Sequence, residues 1–107
     1  MFNLTGKVAL VTGARRGMGK AHAEALAKQG AKVILTDIDL TETQAAADEI
    51  KASGGESRAF KMDVSDGAEV NRVFDEAVKE FGRLDILINN AGVYLPKAAL
   101  DLTEEEW

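Results

Sequence analysis

The sequence predicts an α/β domain built on a doubly wound parallel sheet of four strands, with helices on both faces. Two observations predict it. Four short runs rich in β-branched and aliphatic residues recur along the chain, "KVALVT" at 7–12, "KVILTD" at 32–37, "SRAFKMDV" at 57–64 and "LDILIN" at 84–89, and each interval between them carries a helical pattern. Alternation of strand and helix is how neighbouring parallel strands are joined, because the chain must cross back over the sheet before it can run in the same direction again.

In chain order, the run at 7–12 ends on Gly13 and is apolar on both faces, as expected of a strand buried between two helical layers. A helix is expected from about Gly17 to Gln29: Lys20, Glu24 and Lys28 stand four apart on one stripe, which leaves Met18, Ala21, Ala25 and Leu26 for the sheet. After the second strand, a helix from about Thr41 to Ser53 is expected to bury Ala46, Ala47 and Ile50 and to stop at Gly54. The third strand, 57–64, is the weakest of the four. The third helix has the clearest pattern, with Val70, Val73, Phe74, Ala77, Val78 and Phe81 on one face, Ser65 or Asp66 as N-cap and Gly82 as terminator. Gly54 and Gly55 form a turn within the unit; no linker, repeat or low-complexity tract divides the chain.

Composition narrows the function. With 107 residues, 46% hydrophobic and 29% charged, the chain is one globular domain and not a disordered segment. Its net charge of -5 argues against nucleic acid or an anionic membrane surface as partner, since both are held by clustered Lys and Arg. A small-molecule ligand is expected instead. The absence of cysteine removes disulfides and thiolate metal sites and suits a reducing compartment. "MFNLTGKVALV" lacks a signal-peptide core and no stretch approaches the roughly 20 apolar residues of a membrane span, so a cytoplasmic location is expected.

The stretch with a chemical purpose is "LVTGARRGMGKAHAEAL", residues 10–26. A phosphate pair is well placed against a helix N-terminus, where the first amides lack intrahelical partners and the dipole is positive, provided no side chain blocks the approach. Thr12, Gly13, Gly17 and Gly19 spell TGxxxGxG, a spacing different from GxGxxG. Gly13 suits the tight turn, Gly17 a close approach of phosphate to backbone, and Gly19 a close approach of the helix to the strand. A ligand-free β-to-α turn needs similar glycines. What favours a nucleotide is Asp37, at the end of the next strand and 18 residues beyond Gly19, where a carboxylate can accept both ribose hydroxyls.

With those residues in view, the chain resembles the classical short-chain dehydrogenases/reductases over nearly its whole length. The likeness rests on "TGARRGMG" at 12–19, "DI" at Asp37 and Ile38, "DV" at Asp63 and Val64, and "NNAG" at 89–92. It implies a Rossmann-type sheet in the order 3-2-1-4 and an oxidoreductase that moves a hydride between nicotinamide and an alcohol or ketone. It implies that the segment Gly13, Arg15, Arg16, Gly17, Met18 and Gly19 holds the pyrophosphate and that Asp37, with Ile38, holds the adenosine ribose. Asp63 and Val64 are expected at the adenine edge, and Asn90, Ala91 and Gly92 beside the ribose, while Thr12 and Asn89 brace neighbouring loops. NAD is expected in preference to NADP: a 2′-phosphate about 4 Å from Asp37 meets about 4 kcal/mol of repulsion per unit charge at an effective dielectric near 20, before salt screening. Arg16 opposes this, since a guanidinium–phosphate contact returns about 1.5–3 kcal/mol, but Asp37 would also lose its ribose bonds.

No catalytic residue is assigned. The family's proton donor is a tyrosine with a lysine four residues on, helped by a serine; here the one tyrosine, Tyr94, is followed by Lys97 at three residues, with Pro96 between them. His22 has neither nucleophile nor ligand cluster beside it and is expected on a partly exposed helix face; no metal site is expected. Glu104, Glu105 and Glu106 look like the acidic first turn of a helix, and Asp85 like a cap at a strand start. The fourth run, apolar on both faces, would form a sheet edge in the order 3-2-1-4. The chain is therefore expected to be the N-terminal, cofactor-binding part of a truncated domain, inactive alone, or else to pair with another chain through Leu84 to Asn89; a homo-oligomer is expected, as the resemblance implies. The alternative is a stand-alone nucleotide-binding or assembly module without redox activity. Residues that select the hydroxyl or carbonyl substrate are expected beyond Trp107.

Overall fold

The computed structural model describes residues 3–89. Its elements are β1 (Val8–Thr12), α1 (Gly17–Lys28), β2 (Lys32–Asp37), α2 (Leu40–Ala52), β3 (Glu56–Lys61), α3 (Gly67–Phe81) and β4 (Ile86–Asn89). The four strands are parallel and lie in the order β3-β2-β1-β4, the expected doubly wound arrangement. The register places Val11 between Leu35 and Ile88, and Thr12 between Thr36 and Asn89, so β1 is hydrogen-bonded along both edges.

Strand side chains alternate between faces, and both faces here are covered. Val8 and Leu10 of β1, Ile34 of β2 and Leu87 of β4 pack with Met62 against Val70, Val73, Phe74 and Ala77 of α3. On the other face Val11, Val33, Leu35 and Ala59 meet Ala23 of α1 and Ala46, Ala47 and Ile50 of α2. This is why the run from Val8 to Val11 is apolar throughout: all five residues of β1 are buried, with Val8 and Leu10 packed on the α3 side and Val11 on the side of α1 and α2.

The third and fourth strands are shorter than their sequence patterns suggest. β3 is the outer strand beside β2, and it ends at Lys61 instead of Val64. The Met62 amide still donates to the Asp37 carbonyl at 2.8 Å, after which Asp63 turns the chain by accepting from both the amide and the hydroxyl of Ser65. Among the described residues β3 pairs only with β2, and on it the exposed Arg58 lies over the Phe60 ring and pairs with Glu80 at 3.2 Å. β4 begins at Ile86 because Asp85 caps it. Its carboxylate accepts from the Val8 amide at 2.9 Å while its own amide donates to the Val8 carbonyl at 2.8 Å, fastening the starts of β1 and β4 together.

Helix ends follow the expected chemistry. Asp39 caps α2 by accepting from the Glu42 amide, and Asp66, not Ser65, caps α3 by accepting from Glu69. α2 closes through Gly54 and Gly55, whose amides donate to Lys51 and Ile50 carbonyls. One residue of the α3 pattern departs from expectation: Val78 is 44% exposed, whereas Phe81 packs at the edge of the core.

α1 differs more. Met18, Ala21 and Ala25 face outward, and the buried positions are Gly19 and Ala23, with Leu26 and Ala27 packed beside them. The rotation is set by backbone proximity, not by the apolar stripe. A Cβ built on Gly19 would lie 2.0 Å from the Gly13 carbonyl oxygen, so only a glycine can face the turn after β1, and Ala23 follows one helical turn later. Lys20 then points at α2 and pairs with Glu49, a hydrogen bond that raises the ammonium's pKa above its ordinary value.

Candidate functional site at the strand ends

The C-terminal ends of the four strands share one rim of the sheet, and the expected site residues within the described region come from three loops on it. The order β3-β2-β1-β4 reverses direction between β1 and β4, the place where open α/β sheets form a crevice.

The first loop joins β1 to α1. Gly13 and Gly17 adopt φ of 62° and 64°, a conformation that side-chain-bearing residues rarely take. The Ala14 amide donates to the Thr36 carbonyl at 3.1 Å, which pins the loop to β2. The surroundings of the glycines differ in a telling way. A Cβ on Gly19 collides with the loop itself, whereas one on Gly17 would meet no protein atom within 4 Å. Gly19 is thus needed for internal packing, while Gly17 borders open space. Arg16, at the N-cap of α1, makes no capping side-chain bond, in contrast to Asp39 and Asp66 at the starts of α2 and α3. Among the described residues, no side chain is bonded to the first-turn amides of α1, and that turn contains no acidic residue.

The second loop begins at Asp37, whose side chain is only 11% exposed. Its Oδ1 accepts from the Ile38 amide at 2.7 Å and lies 3.5 Å from Arg15 Nε; its Oδ2 accepts from the Arg15 amide at 3.4 Å. The carboxylate is thus oriented by the glycine loop beside it. Arg15 in turn reaches Asp39 and Glu42 at the start of α2. Neither of these acids is among the residues singled out from the sequence. Their signal is the run of carboxylates at 37, 39 and 42 around a helix start, which ordinary capping accounts for equally well.

The third loop carries Asp63 and Val64. The Asp63 carboxyl is held below the usual carboxylate range, first by the Ser65 hydroxyl and then by the Ser65 amide. Its own amide donates to Glu69 at 2.9 Å, which ties the loop to the first turn of α3. Val64 is half-buried against the core. Beside β1, Thr12 Oγ1 donates to Asn89 Oδ1 at 3.0 Å, a bond that ties the ends of β1 and β4 together. Asn90, Ala91 and Gly92 lie outside the described residues, as do Tyr94, Pro96, Lys97, Glu104, Glu105 and Glu106.

Met18 and Ile38, 72% and 55% exposed, put apolar surface on this rim. The rim thus combines unspent amides, a fixed carboxylate and exposed apolar side chains, a set suited to anionic, hydroxylated and flat aromatic parts of one ligand. A groove of about 490 Å³ lies elsewhere, at the opposite end of the sheet between the C-terminal ends of α1 and α2, lined by Glu24, Lys28, Ile50 and Ser53 among others. It shares no residue with the rim. Among the described residues no group of three or more potential metal ligands occurs, and no helix is long and apolar enough to cross a membrane. His22 is half-buried on α1, with Nδ1 enclosed and unbonded.

Comparison with known proteins gives a consistent pattern. The family model described as short chain dehydrogenase matches residues 7–107. Among curated proteins, the chain is 42% identical over 106 residues to D-threitol dehydrogenase of Mycolicibacterium smegmatis, covering 99% of this chain and 41% of that protein. It is 43% identical over 106 residues to the 3-oxoacyl-(acyl-carrier-protein) reductase FabG of Escherichia coli, covering 99% and 42%. The chain therefore spans about two fifths of the length of these relatives. Among solved structures, a metagenomic short-chain oxidoreductase in complex with NADP superposes with a TM-score of 0.81 at 37% identity, over 94% of this chain and 49% of that one. A short-chain dehydrogenase/reductase from Burkholderia phymatum in complex with NAD does so with a TM-score of 0.76 at 40% identity, over 81% and 31%.

Proposed function

Because this chain belongs to the short-chain dehydrogenase family, we propose that its rim is the seat of a nicotinamide dinucleotide, NAD in preference to NADP. The observation that carries this reading is the pairing of an uncapped helix start with a fixed carboxylate. α1 offers first-turn amides that no side chain among the described residues occupies, reached past the open space at Gly17, and Asp37 stands on the neighbouring strand end.

In this reading Gly13, Arg15, Arg16, Gly17, Met18 and Gly19 form the pyrophosphate segment, with the α1 dipole and amides as the attracting groups. Asp37 accepts the adenosine ribose hydroxyls, and the exposed Ile38 covers the adjoining ring. Asp63 and Val64 border the adenine, Asp63 as a carboxylate that its Ser65 bonds keep ionised. Asn90, Ala91 and Gly92 complete the ribose side. A bound nicotinamide supplies hydride chemistry; the residues of this chain bind and orient it and keep its phosphates against backbone.

The 107 residues form the N-terminal part of one dinucleotide-binding domain whose sheet continues beyond β4 in the complete protein. The proton transfer to or from a hydroxyl or carbonyl substrate is assigned to residues outside these 107, so the chain alone binds without turnover. Solved relatives carry NAD in one case and NADP in another, so the choice rests on this chain's own charges. Asp37 disfavours a 2′-phosphate and Arg16, exposed at the N-cap, favours it. Calorimetric titration with both dinucleotides tests the reading: NAD is expected to bind more tightly. Tighter NADP binding that weakens in Arg16→Ala would reverse the choice of cofactor, and no heat with either would remove the proposal.

A further inference from the structure

The two arginines of "GARRG" are in unlike situations. Arg16 is exposed and forms no ion pair among the described residues. Arg15, 25% exposed, is surrounded by carboxylates: Nε is 3.5 Å from Asp37 Oδ1 and 3.5 Å from Glu42 Oε2, and Nη1 is 3.4 Å from Asp39 Oδ2. We propose that Asp39 and Glu42, at the start of α2, are specificity-determining residues: by clamping Arg15 they keep the ribose seat closed to a 2′-phosphate. The inference rests on the dinucleotide reading above and concerns the same site.

Three features support it. First, the charges sum unfavourably for a phosphate: one guanidinium against three carboxylates leaves a cluster of formal charge -2 beside Asp37, so the barrier to a second dianion comes from Asp39 and Glu42 as well as from Asp37. Second, two of the three guanidinium nitrogens, Nε and Nη1, already face carboxylates, and an arginine held this way braces the seat in preference to receiving phosphate. Third, the clamp is held on the α2 side too. Asp39 uses Oδ2 for Arg15 and Oδ1 for the Glu42 amide that caps the helix, so freeing the arginine by rotating Asp39 would also uncap α2.

Neutralising the clamp while preserving its shape therefore converts Arg15 from a brace into a phosphate ligand. The experiment compares wild type, Asp39→Asn, Glu42→Gln, the double variant, and the double variant with Arg15→Ala, each in the complete protein. Asparagine retains the capping bond, and each variant's unfolding midpoint confirms its fold. NAD and NADP are titrated separately by calorimetry, and the readout is the ratio of the two dissociation constants. Each single variant is expected to move the ratio towards NADP, and the double variant by about tenfold. Arg15→Ala in that background is expected to abolish the gain. A ratio unmoved in the double variant, or a gain that persists without Arg15, overturns the inference while NAD binding by wild type leaves the functional reading standing. Wild type that binds neither dinucleotide overturns both.

Discussion

Gly19 shows how little room a single atom has at this site. An added Cβ at 2.0 Å from the Gly13 carbonyl oxygen has no rotamer by which to escape, so Gly19→Ala must push α1 away from the glycine loop. The expected cost is about 1–3 kcal/mol of stability, the range for overpacking, together with loss of dinucleotide binding. Urea unfolding and calorimetry on the same sample check both effects. Gly17→Ala is the useful contrast, since it meets no protein atom and is strained only through its backbone.

Asp85 gives a residue-scale prediction in pH. Burial works to raise its pKa, but the Arg83 guanidinium at 2.7 Å, the Val8 amide and the nearby charges of Arg83 and Lys7 outweigh burial and hold it below the usual carboxylate range. A carboxyl whose pKa is lower folded than unfolded adds stability above the unfolded value, and loses it as pH falls through the folded one. The contribution is thus present at pH 7 and fades below about pH 4. Asp85→Ala is expected to cost about 1–2 kcal/mol at pH 7 and less at pH 2, measured by urea titration at both. An equal cost at both values would show that the carboxylate's charge is irrelevant to this junction.

At the scale of elements, α3 is the helix that sequence describes best and still misassigns at one position. Val70, Val73, Phe74 and Ala77 are buried as their spacing requires, but Val78, which the same spacing includes, is 44% exposed. Phe74→Ala is expected to cost about 3 kcal/mol and Val78→Ala less than about 0.5 kcal/mol, by denaturant midpoint. Comparable losses would mean that the periodic pattern and not the burial governs. α1 was less legible for a definable reason. Its alanines are small on nearly every side, so hydrophobicity hardly distinguishes one face from another, and the contact that orients it is between two backbones. Periodicity carries no record of such contacts. Strand ends were shortened for a similar reason: Asp63 and Asp85 turn or cap the chain with side-chain bonds inside runs that remain apolar on average.

At the scale of the whole molecule, the sheet order leaves β4 at an edge among the described residues. Leu87 is fully buried and Ile86 and Ile88 are half-buried, yet among the described residues β4 pairs only with β1. Such an edge presents unpaired amides and carbonyls to any strand that can reach it. Isolated as 107 residues, the chain is expected to associate through 84–89, giving light-scattering masses above the monomer, and a charge placed at Ile88 (Ile88→Lys) is expected to reduce this. A monodisperse monomer whose β4 amides are all protected from exchange would refute it.

The sequence by itself determined the class of fold, the number and order of its elements, the glycine loop and Asp37 at the end of the second strand. Those features are local: they follow from alternation, helical spacing and the conformations open to glycine. Tertiary structure alone decided which side of α1 meets the sheet, that Arg15 and not Arg16 is surrounded by carboxylates, and that Asp85 joins β1 to β4. Each of these depends on residues distant in the chain approaching within hydrogen-bonding or van der Waals range, and no property of a single segment encodes such an approach.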